Sequence, residues 1–294
     1  MSLTSFLKQP DVIKNFRQHF EPPKIRLTKT LLAPPLTNHY SLVGTAFDYL
    51  LRFYIERLNK NAICGHWVAE QSLRILEEEE EWGYDIANKK QITPDDSPVV
   101  ARALSVFKQA QIAHRHYLST SELTDQLLES AIHLAQLDPI YRAGFIDENL
   151  GKAHKEDVKD LRNLIALVKP KLFLSNSLCL LNPDFGKASK LVGGADADLL
   201  MDDALIDIKT VKDCVLKPDY YYQLLGYFIL HQLSAIADLK PKPKINKIGV
   251  YFSRHGHLEL FDLQDINVPK TFVDWFAERA SRQMDVNIKH SKKG

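Results

Sequence analysis

The sequence predicts an α/β fold: a mixed β-sheet flanked by helices, with a large all-helical insertion. Three observations predict it. Apolar residues recur at helical spacing over 41–58 and through nearly all of 60–169. After Pro170 the pattern becomes β-like, at 171–182 and 190–210, and again at 245–253 and 257–263. One long helical stretch at 218–236 stands between these two β-rich regions. This order divides the chain into an N-terminal arm and first core helix (1–59), the helical insertion (60–169) and the α/β core (170–294).

Residues 1–40 are basic and interrupted by Pro10, Pro22, Pro23, Pro34 and Pro35. They read as a short helix followed by an extended arm. In the first core helix Leu42, Phe47, Leu50, Leu51, Tyr54 and Ile55 form the apolar stripe. The insertion reads as helices at 66–82, 97–117, 121–137 and 154–168. Thr93-Pro94-Asp95-Asp96 and Ser121-Glu122-Leu123-Thr124 serve as helix starts. The acidic run 77–81 reads as a solvated helix face. In the core, the helix at 218–236 is strongly amphipathic, and 240–244 is a basic linker. The last two strands form a hairpin across Arg254-His255-Gly256, read as an exposed turn, before a closing helix at 270–286.

The composition excludes several classes. In 294 residues the hydrophobic share is 45% and the charged share 26%, as in ordinary globular proteins, and the net charge is +1. The cysteines, Cys64, Cys179 and Cys214, form no Cys-x-x-Cys pair, which argues against zinc or an iron–sulfur cluster. So sparse a set suits a reducing, cytoplasmic setting. No run has the roughly 18 apolar residues of a membrane span, and the N-terminus lacks the apolar core of a signal peptide. Basic residues suited to phosphate contacts lie in the arm (Lys8, Lys14, Arg17, Lys24, Arg26, Lys29), the linker (Lys240, Lys242, Lys244, Lys247) and the tail (Lys289, Lys292, Lys293). Solvated surface is the simpler reading of each.

Chemistry concentrates in the segment from Gly193 to Thr210, which reads as two strands joined by a tight turn at Asp202-Asp203. Alternation puts Leu205, Asp207 and Lys209 on one strand face, with Ile206 and Ile208 on the other, apolar one. On the first arm Asp196 and Asp198 share a face and compete for one role; the Gly-x-x-Asp spacing favours Asp196. Folding the hairpin brings carboxylates and an ammonium together beside an apolar layer. Such a set can hold a hard divalent cation, with the Ile208 carbonyl as a further ligand, while Lys209 orients a water or offsets developing charge. A cross-strand ion pair on a surface hairpin is the plainer alternative. Downstream, Gln223 and Tyr227 share one helix face. Gln223 can donate to a phosphate or base and Tyr227 can stack; both also read as core positions. Gly226 would let this helix approach the sheet closely.

Gly193-x-x-Asp196, Asp207-x-Lys209-Thr210 and Gln223-x-x-x-Tyr227 together resemble the PD-(D/E)xK nuclease superfamily, most closely its RecB-like branch. The resemblance covers 41–58 and 171–265 and leaves 60–169 unmatched. It implies a restriction-endonuclease-like core and a nuclease dependent on Mg2+ or Mn2+. Asp196, Asp207 and Lys209 would be catalytic, Asp48, Asp196, Asp207 and the Ile208 carbonyl metal-binding, and Gln223 and Tyr227 substrate-binding. Asp48 enters because the branch carries a metal-site histidine four residues after a helix-opening glycine, and Gly44 is followed at that spacing by Asp48. An ion pair with Arg52 one turn on is the other reading of Asp48, and Glu56 is a weaker ligand candidate.

The activity implied is hydrolysis of phosphodiester bonds, in DNA rather than RNA, by a metal-activated water. A helical block covering or bordering the site would favour exonuclease action and could also take a protein partner. The alternatives are a nucleic-acid-binding module that keeps the fold without turnover, and a structural or partner-binding protein.

Overall fold

The computed structural model describes residues 2–23, 29–82, 84–85, 90–91 and 97–291. In chain order the elements are α1 (Leu3–Leu7), α2 (Pro10–His19), α3 (Tyr40–Leu58), β1 (Ala62–Cys64), α4 (Val68–Trp82), β2 (Tyr84–Asp85), β3 (Lys90–Gln91), α5 (Ser97–Thr120), α6 (Asp125–Ala143) and α7 (Lys155–Ala166). They continue with β4 (Cys179–Leu181), α8 (Gly186–Leu191), β5 (Leu199–Met201), β6 (Ala204–Lys209), α9 (Pro218–Leu233), β7 (Lys247–Phe252), β8 (His257–Asp262) and α10 (Lys270–Ser291). The α/β class is as the sequence predicts. Thr93-Pro94-Asp95-Asp96, Lys24, Arg26, Lys292, Lys293 and the side chains of residues 78–81 and Lys289 lie outside the described residues.

Six strands form one mixed sheet in the order β1-β4-β5-β6-β7-β8. The β1–β4 and β6–β7 pairs are parallel and the remaining pairs antiparallel. Strand β1 is an addition to the helical reading of 60–169. Its three residues are too short for periodicity to reveal, and parallel pairing to β4 fixes them. Both sheet faces are covered, and alternation sorts side chains between two apolar layers. Cys179, Leu181, Leu199, Met201, Ile206 and Tyr251 join the layer formed with α3 to α7. Leu180, Leu200, Leu205, Ile248, Val250 and Phe252 join the layer with α1, α2, α9 and α10. Leu205 is therefore as buried as Ile206.

The helical block is not set apart from the sheet. Its apolar residues, from Ala69 in α4 to Ile165 in α7, belong to the same continuous cluster as α3 and one sheet face. Within it α6 starts four residues later than the sequence suggests. Ser121 has φ +65°, and Thr124 is the cap, accepting the Leu127 amide at 3.2 Å. Helix α9 is buried on nearly all sides rather than amphipathic. Gly226 faces α1, not the sheet: a Cβ there would lie 3.1 Å from both methyl groups of Leu3.

The first arm of the expected hairpin is mostly not strand. Gly193 and Gly194 take φ +79° and +118°, conformations open to glycine, and the chain turns out of α8 there. Asp196 makes one isolated bridge to Asp184, and regular pairing begins only at Leu199. Asp202, at φ +51°, accepts the Asn176, Ser177 and Leu178 amides and the Ser175 and Ser177 hydroxyls. Those amide hydrogen bonds hold its carboxyl well below the ordinary aspartate range.

The turn at Arg254-His255-Gly256 is buried, contrary to the sequence reading: Arg254 is 1% and His255 5% exposed. Arg254 forks onto Asp160 of α7 at 2.8 and 2.9 Å and donates to the Ala33 carbonyl at 2.9 Å. Its own carbonyl accepts the Leu32 and Ala33 amides. One side chain thus ties the N-terminal arm and the helical block to the β7–β8 turn.

Removing one partner leaves a buried charge. Arg254→Met or Asp160→Leu should each cost about 3–5 kcal/mol in urea unfolding, and the double variant should recover most of it. Full additivity of the two losses would contradict this. Asp202→Asn keeps a residue tolerant of positive φ and loses the charge, at a cost of about 1 kcal/mol at pH 7. A carboxyl with a lowered folded pKa stabilises above its unfolded value and loses that effect as pH falls. The wild type should therefore lose stability relative to Asp202→Asn below about pH 4 in acid-unfolding titrations.

Candidate active site

The site lies where β6 ends. Asp207 and Lys209 point to the α9 side of the sheet, below Leu205, as alternation requires. Asp207 is 2% exposed, and its Oδ2 lies 2.7 Å from Lys209 Nζ. The ammonium also donates to Gln223 Oε1 at 3.0 Å and sits 4.9 Å from the centre of the Tyr220 ring. Gln223 Nε2 donates to the Tyr227 hydroxyl at 2.8 Å. Tyr227 stacks on Phe185 with centroids 5.5 Å apart. Burial first, then the charges of Asp207 and Asp198, push its phenol well above the ordinary range. Gln223 and Tyr227 thus fix Lys209 from α9.

The structure reverses the order of the two candidate aspartates. Asp198 Oδ2 accepts the Ile208 amide at 2.6 Å, so it is tied across to β6 between Asp207 and Lys209. Burial, then the neighbouring charges of Asp207 and Asp48, raise its carboxyl well above the ordinary value. Asp196, two residues back, stands off to one side. Its carboxylate makes no hydrogen bond or ion pair among the described residues, and the charges that act on it most are Arg142, Asp184 and Arg52. The Gly-x-x-Asp spacing misleads because Gly193 and Gly194 belong to the turn out of α8, not to a strand.

Asp48 comes in from α3. Its Oδ2 accepts from Arg52 Nη2 at 2.6 Å, so the expected ion pair is present. Its charge also raises both Asp198 and Asp207, so it belongs to the same cluster. Gly44, one turn earlier, lies against Thr210 just beyond β6, which brings this part of α3 to the strand end. Glu56 faces away from the cluster onto His114 at 2.9 Å.

Behind Asp48 runs a relay that sequence reasoning misses. Arg52 lies over the Tyr49 ring at 4.6 Å, and the Tyr49 hydroxyl donates to Asp138 Oδ1 at 2.6 Å. Asp138 pairs with Arg142 at 3.5 Å. Burial pushes the Asp138 carboxyl up to about 6, against the pull of Arg142 and Tyr49. The hydrogen-bond ladder of α6 is broken next to these two residues. Pro139 interrupts the hydrogen-bond ladder of α6, and the Ser72 hydroxyl enters it, donating to the Leu137 carbonyl at 2.7 Å and accepting the Tyr141 amide at 3.2 Å. An aspartate followed by proline inside an apolar helical run is the signal that could have found them.

Comparison with protein-family models, with curated proteins and with solved structures yields no match.

The donor set is that of a hard cation. Asp48, Asp198 and Asp207 oppose Arg52 and Lys209, so one carboxylate charge lacks a counter-charge. Asp48 Oδ1 is buried and accepts no hydrogen bond, and Asp207 Oδ2 meets only the Lys209 ammonium. Among the described residues no three carboxylate, histidine or cysteine groups already stand as a ready coordination shell. The side chains match a hard cation in donor type and charge.

Asp198→Asn retains an acceptor for the Ile208 amide and removes one crowded charge. In buffer containing EDTA it should raise stability by about 1 kcal/mol at pH 8. A carboxyl whose folded pKa is raised destabilises as pH climbs through that value, so the gain should shrink at pH 5. Asp196→Asn, with Arg142 opposite, should gain less. Thermal melts of the three proteins at both pH values decide this, and destabilisation by Asp198→Asn at pH 8 would contradict it.

Proposed function

We propose that this chain is a nuclease that hydrolyses phosphodiester bonds, DNA first among its substrates, with Mg2+ or Mn2+ as cofactor. One observation carries the reading. Three aspartates from α3, the approach to β5 and the end of β6 converge beside a lysine, with more negative charge than the neighbouring cations offset. Asp48, Asp198 and Asp207 would hold the cation, and Ile208, which follows Asp207 in β6 and whose amide Asp198 accepts, would offer its carbonyl as a further ligand. The bound cation would supply Lewis acidity and charge neutralisation at the scissile phosphate.

The remaining roles belong to the chain's own groups. Lys209 keeps its ammonium between Asp207 and Gln223, where its N–H donors can orient the attacking water or stabilise charge on a phosphoryl oxygen. Gln223, itself held by Tyr227, prevents that ammonium from folding wholly onto Asp207. Together these residues carry the hydrolysis, while α6 borders the same cluster through Asp138 and Arg142.

The test is cleavage of single- and double-stranded DNA and RNA, labelled at either end, with Mg2+, with Mn2+ and with EDTA. Cleavage should require the cation. Asp207→Asn, Asp198→Asn and Lys209→Ala should each lower the rate by about 10²–10³-fold or more while the fold persists by circular dichroism. Mn2+ at about 100 times its Kd should stabilise the wild type by roughly 2.7 kcal/mol and leave Asp207→Asn unmoved. Cleavage at the wild-type rate by Asp207→Asn, or cleavage undiminished in EDTA, overturns the proposal.

A further inference from the structure

Arg142 is the cation of this region that the machinery above does not use. It closes α6 on the border of the carboxylate cluster, just before the cap Gly144 at φ +69°. Its only direct partner among the described residues is Asp138, through Nε at 3.5 Å, and no hydrogen bond to the guanidinium is formed there. The side chain is 53% exposed. Yet it is anchored: Asp138 is 6% exposed at its side chain and fixed by Tyr49, whose ring carries Arg52, the partner of Asp48. So the guanidinium is held through Nε by Asp138, is about half exposed, and lies within the field of Asp196.

Two aromatic residues lie close to it in sequence, Tyr141 one residue before and Phe145 three residues after. Tyr141 is 50% exposed and Phe145, just past the cap, is 51% exposed. Large rings are otherwise mostly buried in this protein, with Tyr40 the other large aromatic described as well exposed. The Ser72 hydroxyl, inserted beside Pro139, ties this helix end to α4. Exposed rings beside an unsaturated guanidinium match a single nucleic-acid strand: the fork takes a phosphate bidentately, and a base lies on a ring.

We propose that the C-terminal end of α6 is a strand-binding subsite, in which Arg142 takes a backbone phosphate next to the scissile one and Tyr141 and Phe145 stack the adjoining bases. This rests on the nuclease reading and names its substrate side. It makes Arg142 a binding residue, with Asp138 its positioning residue through the ion pair. It also gives the site a preference for single strands or frayed ends, because a base paired within a duplex cannot lie on a protein ring.

The test uses the full chain in Ca2+, with a fluorescein-labelled 20-mer of deoxythymidine and a 20-bp duplex as probes in fluorescence anisotropy. Arg142→Ala should weaken single-strand binding about tenfold and reduce the salt slope by about one ion. Arg142→Lys, which keeps charge without the fork, should fall between. Tyr141→Ala with Phe145→Ala should weaken the single strand about tenfold and leave the duplex nearly unchanged. In Mn2+ these variants should raise KM and leave kcat near wild type. Melts check each fold, and Phe145→Ala alone, outside the apolar clusters, keeps the test open if another variant fails to fold. Unchanged single-strand affinity in Arg142→Ala, or equal losses for both probes in the aromatic variants, overturns the subsite. If the wild type cleaves and these variants bind as it does, the subsite alone fails. If the wild type neither cleaves nor binds, the nuclease reading fails with it.

Discussion

Asp198 accepts the amide hydrogen of Ile208, and that one contact sets the terms for everything around it. It fixes a carboxylate between Asp207 and Lys209 in a place where the backbone leaves no room for it to withdraw. Taking such a group out of water is unfavourable, and placing two more aspartates in its field makes it worse. The surrounding structure reads as the set of compensations. Lys209 stands against Asp207, Arg52 stands against Asp48, and Gln223 and Tyr227 keep the ammonium in position. The compensation is incomplete, and the remaining charge is the feature on which the proposed cation site rests.

The scaffold that permits this is a sheet covered on both faces. Paired strands on both sides and two apolar layers leave β6 no freedom of register, since a slip of one residue would exchange the Leu205 set with the Ile206 set. Asp207 and Lys209 therefore inherit their direction from Leu205. Helix α3 inherits its own from the helical block, which shares its core and anchors it through Tyr49 and Asp138. The Arg254–Asp160 fork then binds that block to the far turn of the sheet. The positions of the charged groups are set by apolar packing, and the charged groups in turn select among the packings.

Much of this was legible from the residues alone. Helices α3 to α7, α9 and α10, and strands β6 to β8, fall close to where periodicity puts them, because long apolar stripes have few alternative partners. The pairing of Asp207 with Lys209 follows from strand alternation and that of Gln223 with Tyr227 from helix spacing, while joining the two pairs is what the nuclease resemblance implied. What failed did so for local or long-range reasons. Paired glycines took Asp196 out of the strand and left Asp198 in the cluster, a matter of positive φ that a motif spacing cannot express. Strand β1 depends wholly on a partner distant in sequence. Arg254 looked like a turn residue, and its burial depends on Asp160, which only the fold brings near. Arg142 and Asp138 were hidden because their place beside Tyr49 and Asp196 depends on α6 meeting α3, which only the fold brings about.

Helix α1 has five residues, yet it touches both sides of the site's support. The Leu3 amide donates to the Gly194 carbonyl at 2.9 Å, beside the turn that leads to Asp196, and the Leu3 side chain fills the hollow left by Gly226 behind Gln223. So short a helix has little stability of its own before it docks. This short helix has nowhere to lie until residues near 194 and 226 are in place. Such contacts, distant along the chain, form late and slowly. The consequence is temporal: the sheet and the helical block can assemble while the walls around Gln223 are still unsupported, and the site gains its final shape only when α1 docks behind it.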